Sequence, residues 1–457
     1  MEFDSKAYIA GYIERARKAQ AVFEKLTQEE TDAAVRAIAK VVFDNAEILA
    51  EIAVKETGMG NKHDKILKNK SKSKMIWNHL KDKKSKGIIE RDEGTGVTKV
   101  AKPIGVVAAI TPSTNPSVTP MGNAMVALKG GNAIIITAHH KAIESSTKTV
   151  EMMNAELARL GMPENLIQIL DIQSRENTKN LIAMADIVIA TGGMGMVQAA
   201  YSSGKPALGV GVGNVQCIID RGVDLKEAVA KIAAGRAFDN GIICAAEQTV
   251  ICPKEKLDDI LTQFEVCNAY VIKNKDEKDA LRGAMFEDGA MRRQAVGRSA
   301  KDVAVLAGLS VPEDTKLIVV MADGAGAKDI FSKEKMCPVL SVYTYDDFED
   351  AVKIAAENLE VEGKGHSVSI HSSNEKHIEL AGERICISRL LVNQVCASSA
   401  GGSFYNGLAP TNTLGCGSWG NNSISENLDY KHLINISRIA YYMPNNRLPA
   451  DEEVWGQ

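Results

Sequence analysis

Eight cysteines occur in this chain of 457 residues, and one of them stands where a thiol could do chemistry. Cys244 follows Phe238-Asp239-Asn240-Gly241-Ile242-Ile243 and precedes Ala245-Ala246-Glu247-Gln248, just after a glycine turn that ends a helical stretch. A thiolate at such a turn can attack a carbonyl carbon and hold it as a thioester. The competing reading is a buried structural cysteine, since free Cys is among the most buried residue types and only a thiolate in a polar setting reacts readily. A second run, Ala190-Thr191-Gly192-Gly193-Met194-Gly195, follows an apolar strand and opens a helix. Glycines there let the backbone approach a pyrophosphate, and helix N-terminal amides bind its charge. A plain tight turn is the alternative. The glycines of Gly209-Val210-Gly211-Val212-Gly213-Asn214 imitate a dinucleotide fingerprint, but a strand follows them instead of a helix. This segment therefore reads as backbone or bulge beside a site.

A third cluster, Thr137-Ala138-His139-His140-Lys141, ends a strand and can contact an adenosine ribose or 2′-phosphate. No acidic residue to hold a ribose 2′-OH occurs before Glu144, which leans toward NADP(H) over NAD(H). An exposed turn would look the same.

The elements that must position these residues alternate. Gly105 to Ile110, Asn132 to Thr137, Leu166 to Leu170 and Asp186 to Ala190 are short apolar strands separated by helical stretches, as in βαβ units of a parallel sheet. A second α/β region begins near Arg236, with strands expected at Lys316 to Val320, Val339 to Tyr343, Ser367 to His371 and Arg389 to Asn393, and a helix over Asp347 to Asn358. Helices are also expected from Lys6 to Lys25 and from Thr31 to Asn45, the latter opened by the capping-box residues Thr27-Gln28-Glu29-Glu30. Gly94-Thr95-Gly96, flanked by two short strands, suggests a hairpin arm. The lysine-rich stretch Lys62 to Lys86 reads first as a solvated helix and loop, with anion capture as the alternative.

Composition narrows the classes. A net charge of −4 gives no basic field to attract nucleic acid. No apolar run is long enough to span a bilayer, and no signal peptide is read at the N-terminus. The cysteines form no C-x-x-C pair, so no metal site is expected, and reduced thiols in a cytoplasm are.

The glycine turn, the cysteine run and a C-terminal signature together resemble the aldehyde dehydrogenase superfamily, and within it the CoA-acylating branch. The resemblance extends from the first helix to the C-terminus. Its most specific pieces are Tyr201-Ser202-Ser203-Gly204-Lys205-Pro206, Asp239 to Cys244, Glu334-Lys335-Met336-Cys337-Pro338-Val339 and Leu414-Gly415-Cys416-Gly417-Ser418-Trp419-Gly420. The chain is most similar to members acting on succinyl-CoA and succinate semialdehyde. The resemblance implies an aldehyde dehydrogenase-like α/β fold. Residues 1–235 would form a Rossmann-type cofactor domain with an oligomerisation hairpin near 87–100. Residues 236–425 would form the catalytic domain, and 426–457 would return to the cofactor domain or an oligomer interface. A homodimer or homotetramer is expected.

Residue by residue, the resemblance makes Cys244 the nucleophile and Asn115 the side-chain donor of an oxyanion hole. His366 would move a proton for the thiolate or for CoA, although a core histidine fits equally well. Glu334 would hold the nicotinamide ribose. Thr111, Pro112, Ser113, Thr137, His139, Ala190, Thr191, Gly192, Gly193, Met194, Gly195 and Gly211 would line the cofactor. A distal substrate carboxylate needs a cation, because burying it unpaired is costly, and Lys72 and Arg389 are the candidates. Two departures matter. Hydrolytic members carry a glutamate upstream of the nucleophile to activate water, whereas Gly209 to Asn214 has no carboxylate. A thioester without such a base waits for another nucleophile, and CoA suits. His140 stands where the branch commonly has proline, which loosens the cofactor assignment. Alternatives are a short acyl-CoA such as acetyl-CoA as substrate, a hydrolytic semialdehyde dehydrogenase, a Cys/His acyltransferase, or a non-catalytic nucleotide-binding scaffold.

Overall fold

The structure is a computed structural model that describes residues 3–456. Four helices come first: α1 (Ser5–Phe23), α2 (Gln28–Asp44), α3 (Ala46–Thr57) and α4 (Lys62–Leu80). The expected capping box opens α2, with Thr27 accepting from the Glu30 N–H and Glu30 reaching back to Thr27. Ile9, Ile13, Ala16, Val35, Ile38 and Val42 recur at helical spacing and are buried, so α1 packs on the first sheet and α2 on the neighbouring helices through one face each.

The hairpin pairs β1 (Gly87–Asp92) with β2 (Val97–Pro103) in antiparallel register. The first parallel sheet follows: β3 (Val106–Thr111), β4 (Ala133–Ala138), β5 (Ile167–Ile169), β6 (Ile187–Thr191) and β7 (Ala207–Val210), in the order β5-β4-β3-β6-β7. Its helices are α5 (Val118–Lys129), α6 (Ile143–Arg159), α7 (Arg175–Met184) and α8 (Met194–Tyr201). The strands β3, β4 and β6 are buried along their whole length, as continuous Val/Ala/Ile runs require. Strand order reverses between β3 and β6, so the carboxyl ends of those strands open a crevice.

The second sheet begins earlier than expected. β8 (Val215–Ile219) pairs in parallel with β9 (Glu247–Pro253) and with a strand from the distal part of the chain, not with β7. The division between the sheets therefore falls in residues 211–214, not at 235, because β8 supplies the central ladder of the second sheet. Between β8 and β9 runs α9 (Leu225–Ala237). The remaining strands are β10 (Ala269–Val271), a short hairpin of β11 (Phe286–Glu287) and β12 (Ala290–Met291), then β13 (Leu317–Met321), β14 (Val339–Tyr345), β15 (Gly365–His371) and β16 (Ile387–Val392). The second sheet runs β10-β13-β14-β9-β8-β15-β16 and all its pairings are parallel. The helix expected between two of these strands spans Phe348–Val361. Finally β17 (Ile434–Ala440) returns across the molecule and pairs antiparallel with β2, completing a three-stranded arm. Among the described residues no helix is long and apolar enough to cross a membrane.

Candidate active site

The turn that leads to Cys244 is built by what flanks it. Helix α9 ends at Ala237, and Phe238–Gly241 forms a tight turn before the chain enters β9. Arg236, fully buried, donates to the carbonyls of Glu247 and Gly241 at 2.8 Å each, and to those of Lys335 and Cys337. One guanidinium thus staples both sides of the Cys244 loop to the loop carrying Glu334. On the opposite side Gly213, in the link between the two sheets, touches the Cys244 backbone. A Cβ there would stand 1.8 Å from the Cys244 carbonyl oxygen, so only glycine fits.

Cys244 opens into a cleft of about 800 Å³ whose lining includes Leu67, Lys68, Lys72, Asn115, Phe238, Ile243 and Asn412. Asn115, in the turn between β3 and α5, is thereby brought to the thiol. Its side-chain amide makes one hydrogen bond, 3.3 Å to the neighbouring Thr114 hydroxyl. The described residues lining this cleft include no Asp or Glu, and its charged groups are both lysines. Burial, then Glu334 and Cys416, push the Cys244 thiol up to about 12, against the pull of Arg389 and Lys72. The resting thiol is therefore protonated at neutral pH. Glu334 lies within electrostatic reach of the sulfur. Burial and Glu362 push it up to about 8, while the Gly213 N–H favours its anion.

Lys72 and Arg389 part company. Lys72 lines the cleft and donates to the carbonyls of Gly401 (2.8 Å) and Thr411 (3.3 Å), with no carboxylate partner in reach. Burial pulls its ammonium down to about 8, with Cys244 opposing that fall. Arg389 does not serve a substrate carboxylate. Its guanidinium is spent on Ser367 Oγ, Asn427 Oδ1 and the carbonyls of His366 and Gly415, all between 2.8 and 3.1 Å, and it lies outside the cleft lining. It is a strut joining β15, β16 and the C-terminal signature.

His366 is likewise not in the cleft lining. It is wholly buried in β15, neither ring nitrogen has a hydrogen-bond partner among the described residues, and burial with Arg389 pulls it down to about 3. A group so weakly basic stays neutral at pH 7 and takes up a proton poorly.

The residues expected to line a cofactor, Glu334 and Gly211 apart, cluster at the carboxyl ends of β3, β4 and β6, at the crevice where strand order reverses. There the backbone, more than the side chains, is available. Thr111, Thr137 and Thr191 are buried, and their hydroxyls bond to the Thr137 carbonyl, to Gln173 and Thr178, and to Thr413 respectively. Each hydroxyl thus already has a partner inside the protein. Ala190 is buried beside Thr191, while Pro112 and Ser113 continue from β3. Gly192 is half-buried, and Gly193 and Gly195 are exposed. The N-terminus of α8, opened by Gly193 and Met194, has no side-chain cap, and Cβ atoms on Gly192, Gly193 or Gly195 would meet nothing within 4 Å. Free N–H groups and open space suit a pyrophosphate. The N-terminus of α6 is already filled, since Glu56 accepts from the N–H groups of Glu144 (2.7 Å) and Ser145 (2.8 Å). The His139 ring lies 4.2 Å from that of His140, tilted by 31°, and is held below its usual pKa by burial, His140 and Lys141. The Gly211 backbone lies close enough to Cys416 to favour its thiolate, against the burial that pushes that thiol up.

The expected solvated lysine helix is only half right. Lys65, Lys68 and Lys72 repeat along one face of α4 and turn inward, and the first two are ion-paired to the buried Asp239. The helical spacing of these lysines was the available signal; a count of charges concealed it.

A parallel-sheet crevice ending in an uncapped helix stands beside a second α/β unit, and a cysteine and an amide side chain share one cleft. The model of the aldehyde dehydrogenase family matches residues 3–431. A succinate-semialdehyde dehydrogenase (acetylating) of Clostridium kluyveri is 53% identical over 444 residues, covering 97% of this chain and 98% of that protein. The crystal structure of an acetylating aldehyde dehydrogenase from Geobacillus thermoglucosidasius superposes with a TM-score of 0.94 at 36% identity, covering 98% of both chains. A propionaldehyde dehydrogenase from Rhodopseudomonas palustris, solved with bound CoA and an acylated cysteine, gives a TM-score of 0.85 at 27% identity over 95% of this chain and 97% of that one. The chain belongs to the aldehyde dehydrogenase family, in its acylating branch. Enzymes of that branch work with a nicotinamide dinucleotide and CoA.

Proposed function

We propose that this enzyme interconverts succinyl-CoA and succinate semialdehyde through a thioester on Cys244. One observation carries the reading: a single cleft joins Cys244 and Asn115 to the unpaired cation Lys72, and no carboxylate lines it. In the reductive direction the Cys244 sulfur attacks the acyl-CoA carbonyl carbon. The Asn115 amide and the Cys244 N–H take the developing oxyanion, and the C–S bond to CoA breaks, so that CoA leaves as its thiol with a proton that replaces the one Cys244 gives up. The donor pair is worth having, because loss of one such donor costs about 2.7–4 kcal/mol. With no carboxylate to activate water, the acyl-enzyme persists until reduction or until CoA returns. The nicotinamide cofactor, when bound, supplies or accepts the hydride. Glu334 would hold its ribose, and the α8 N-terminus with Gly192 and Gly193 its pyrophosphate. His139, His140 and Lys141 at the end of β4 favour NADP(H), with Lys141 as the charged contact for a 2′-phosphate. Lys72 takes the distal carboxylate of the succinyl chain, which matches the substrate named for the C. kluyveri relative.

Residues on the first sheet would act as the cofactor domain, those from β8 onward as the catalytic domain, and the β1-β2-β17 arm as a dimer or tetramer contact. Eight unpaired cysteines suit a reducing cytoplasm. The test is the rate of NADPH and NADH oxidation with succinyl-CoA against acetyl-CoA, for the native enzyme and for Lys72→Met. Native preference for succinyl-CoA, lost in the variant through a higher KM, supports the reading. Equal or better use of acetyl-CoA, as the G. thermoglucosidasius name suggests for that enzyme, would replace the succinyl assignment.

A further inference from the structure

The turn that delivers Cys244 has a backbone its residues do not favour alone. Asp239 (φ 49°, ψ 40°) and Asn240 (φ 53°, ψ 33°) are consecutive left-handed residues, followed by Gly241 at φ 68°. Side chains other than glycine bring Cβ against the carbonyl oxygen in that region, and Asp and Asn tolerate it only as isolated residues. Two in succession need an external hold.

The hold comes from α4 and the residues before it. The Asp239 carboxylate is fully buried and accepts from Lys68 Nζ, from Lys65 Nζ at 3.1 Å and from the Asn61 N–H at 3.0 Å. Its own N–H donates to Asp64 at 2.8 Å. The Asn240 amide donates to the carbonyls of Gly297 (2.9 Å) and Gly60 (3.2 Å). A Cβ on Gly60 would fall 1.9 Å from Asp239 Oδ1, so the carboxylate is pressed against that backbone. Lys65 also reaches the carbonyl of Thr114 at 3.5 Å, the residue next to Asn115. One helix therefore grips both the nucleophile turn and the turn that carries the amide donor.

We propose that Asp239, clamped by Lys65 and Lys68, is a positioning residue that fixes the Cys244 turn in register with the Asn115 turn. The proposal rests on Cys244 as the nucleophile. Burial pushes the Asp239 carboxyl up, and Lys68 and Lys65 more than reverse this, so the clamp is ionic at neutral pH. Buried charges are a costly way to hold a loop when apolar packing would serve. Their directionality is what a preset attack geometry requires, since misplacement by about 1 Å can cost about 100-fold in rate.

Asp239→Asn separates charge from conformation, because Asn also tolerates the left-handed region. In single turnovers with acyl-CoA, the variant should form the thioester about 10- to 100-fold more slowly. Cys244 alkylation by iodoacetamide should change in rate, read by peptide mass spectrometry, while the KM for the nicotinamide cofactor stays within about twofold. Lys68→Gln should reproduce the defect, and the double variant should be no worse than either alone, because both remove one clamp. Unchanged thioester formation in a folded Asp239→Asn enzyme overturns the proposal. So does parallel loss of cofactor binding and catalysis in both single variants, which would assign the cluster to overall folding. Alkylation of Cys244 is read without any substrate, so a wrong substrate assignment leaves that arm intact. A native enzyme that forms no thioester at all would instead refute the nucleophile.

Discussion

Cys244 is held as a thiol by its surroundings, and that dictates how the enzyme must respond to pH. With burial, Glu334 and Cys416 pushing it up to about 12, the thiolate fraction grows about tenfold per pH unit throughout the working range. Single-turnover acylation should rise from pH 6 to pH 8 without a plateau; a plateau below pH 7 would mean a thiolate already formed. Lys72 works in the opposite sense. Its ammonium, pulled down to about 8, is charged below that pH and neutral above it, so the KM for succinyl-CoA should climb past pH 8 while that for acetyl-CoA does not. Asn115→Ala should lower kcat by about 100- to 1,000-fold with little change in cofactor KM. A loss of less than about fivefold would remove Asn115 from the oxyanion hole.

Among the elements, the link between β7 and β8 has the narrowest tolerance. Gly213→Ala drives a methyl group into the Cys244 carbonyl, so the turn must shift. Activity should fall by more than about tenfold while the melting temperature drops by only a few degrees. Full activity in that variant would show that the loop gives way freely. This link also marks where sequence reading stopped short. The buried runs of β3, β4 and β6 and the capping box at Thr27 were legible, because continuous apolar strands and cap residues carry local signals. The Cys244 and Asn115 positions came through motif resemblance, and the cleft brings them together. What could not be read was which sheet β8 joins, since a strand shows its burial but not its neighbours. Arg389 misled for a related reason: a charge on a strand looks like a ligand until its internal partners are seen. The inward turn of Lys65 and Lys68 failed to register because their partner, Asp239, lies far along the chain.

At the scale of the molecule, the arm is the part that depends on distant chain segments. β17 covers the edge of β2 from Val97 to Pro103, and exposed Ile439, Tyr441 and Tyr442 lie at its far end. Deleting residues 434–457 should expose that edge and alter the assembly, read as a changed particle mass in light scattering. An unchanged mass would detach the arm from oligomerisation. The same pairing sets an order of events during synthesis. The β1-β2 hairpin is made early, yet its third strand is separated from it by both parallel sheets. While the chain is being translated, that hairpin carries an open hydrogen-bonding edge, and two nascent chains on neighbouring ribosomes can meet there before either is finished. The charged residues Glu90, Arg91 and Lys99 along the hairpin would then serve the protein before it has any activity, by keeping unfinished copies apart.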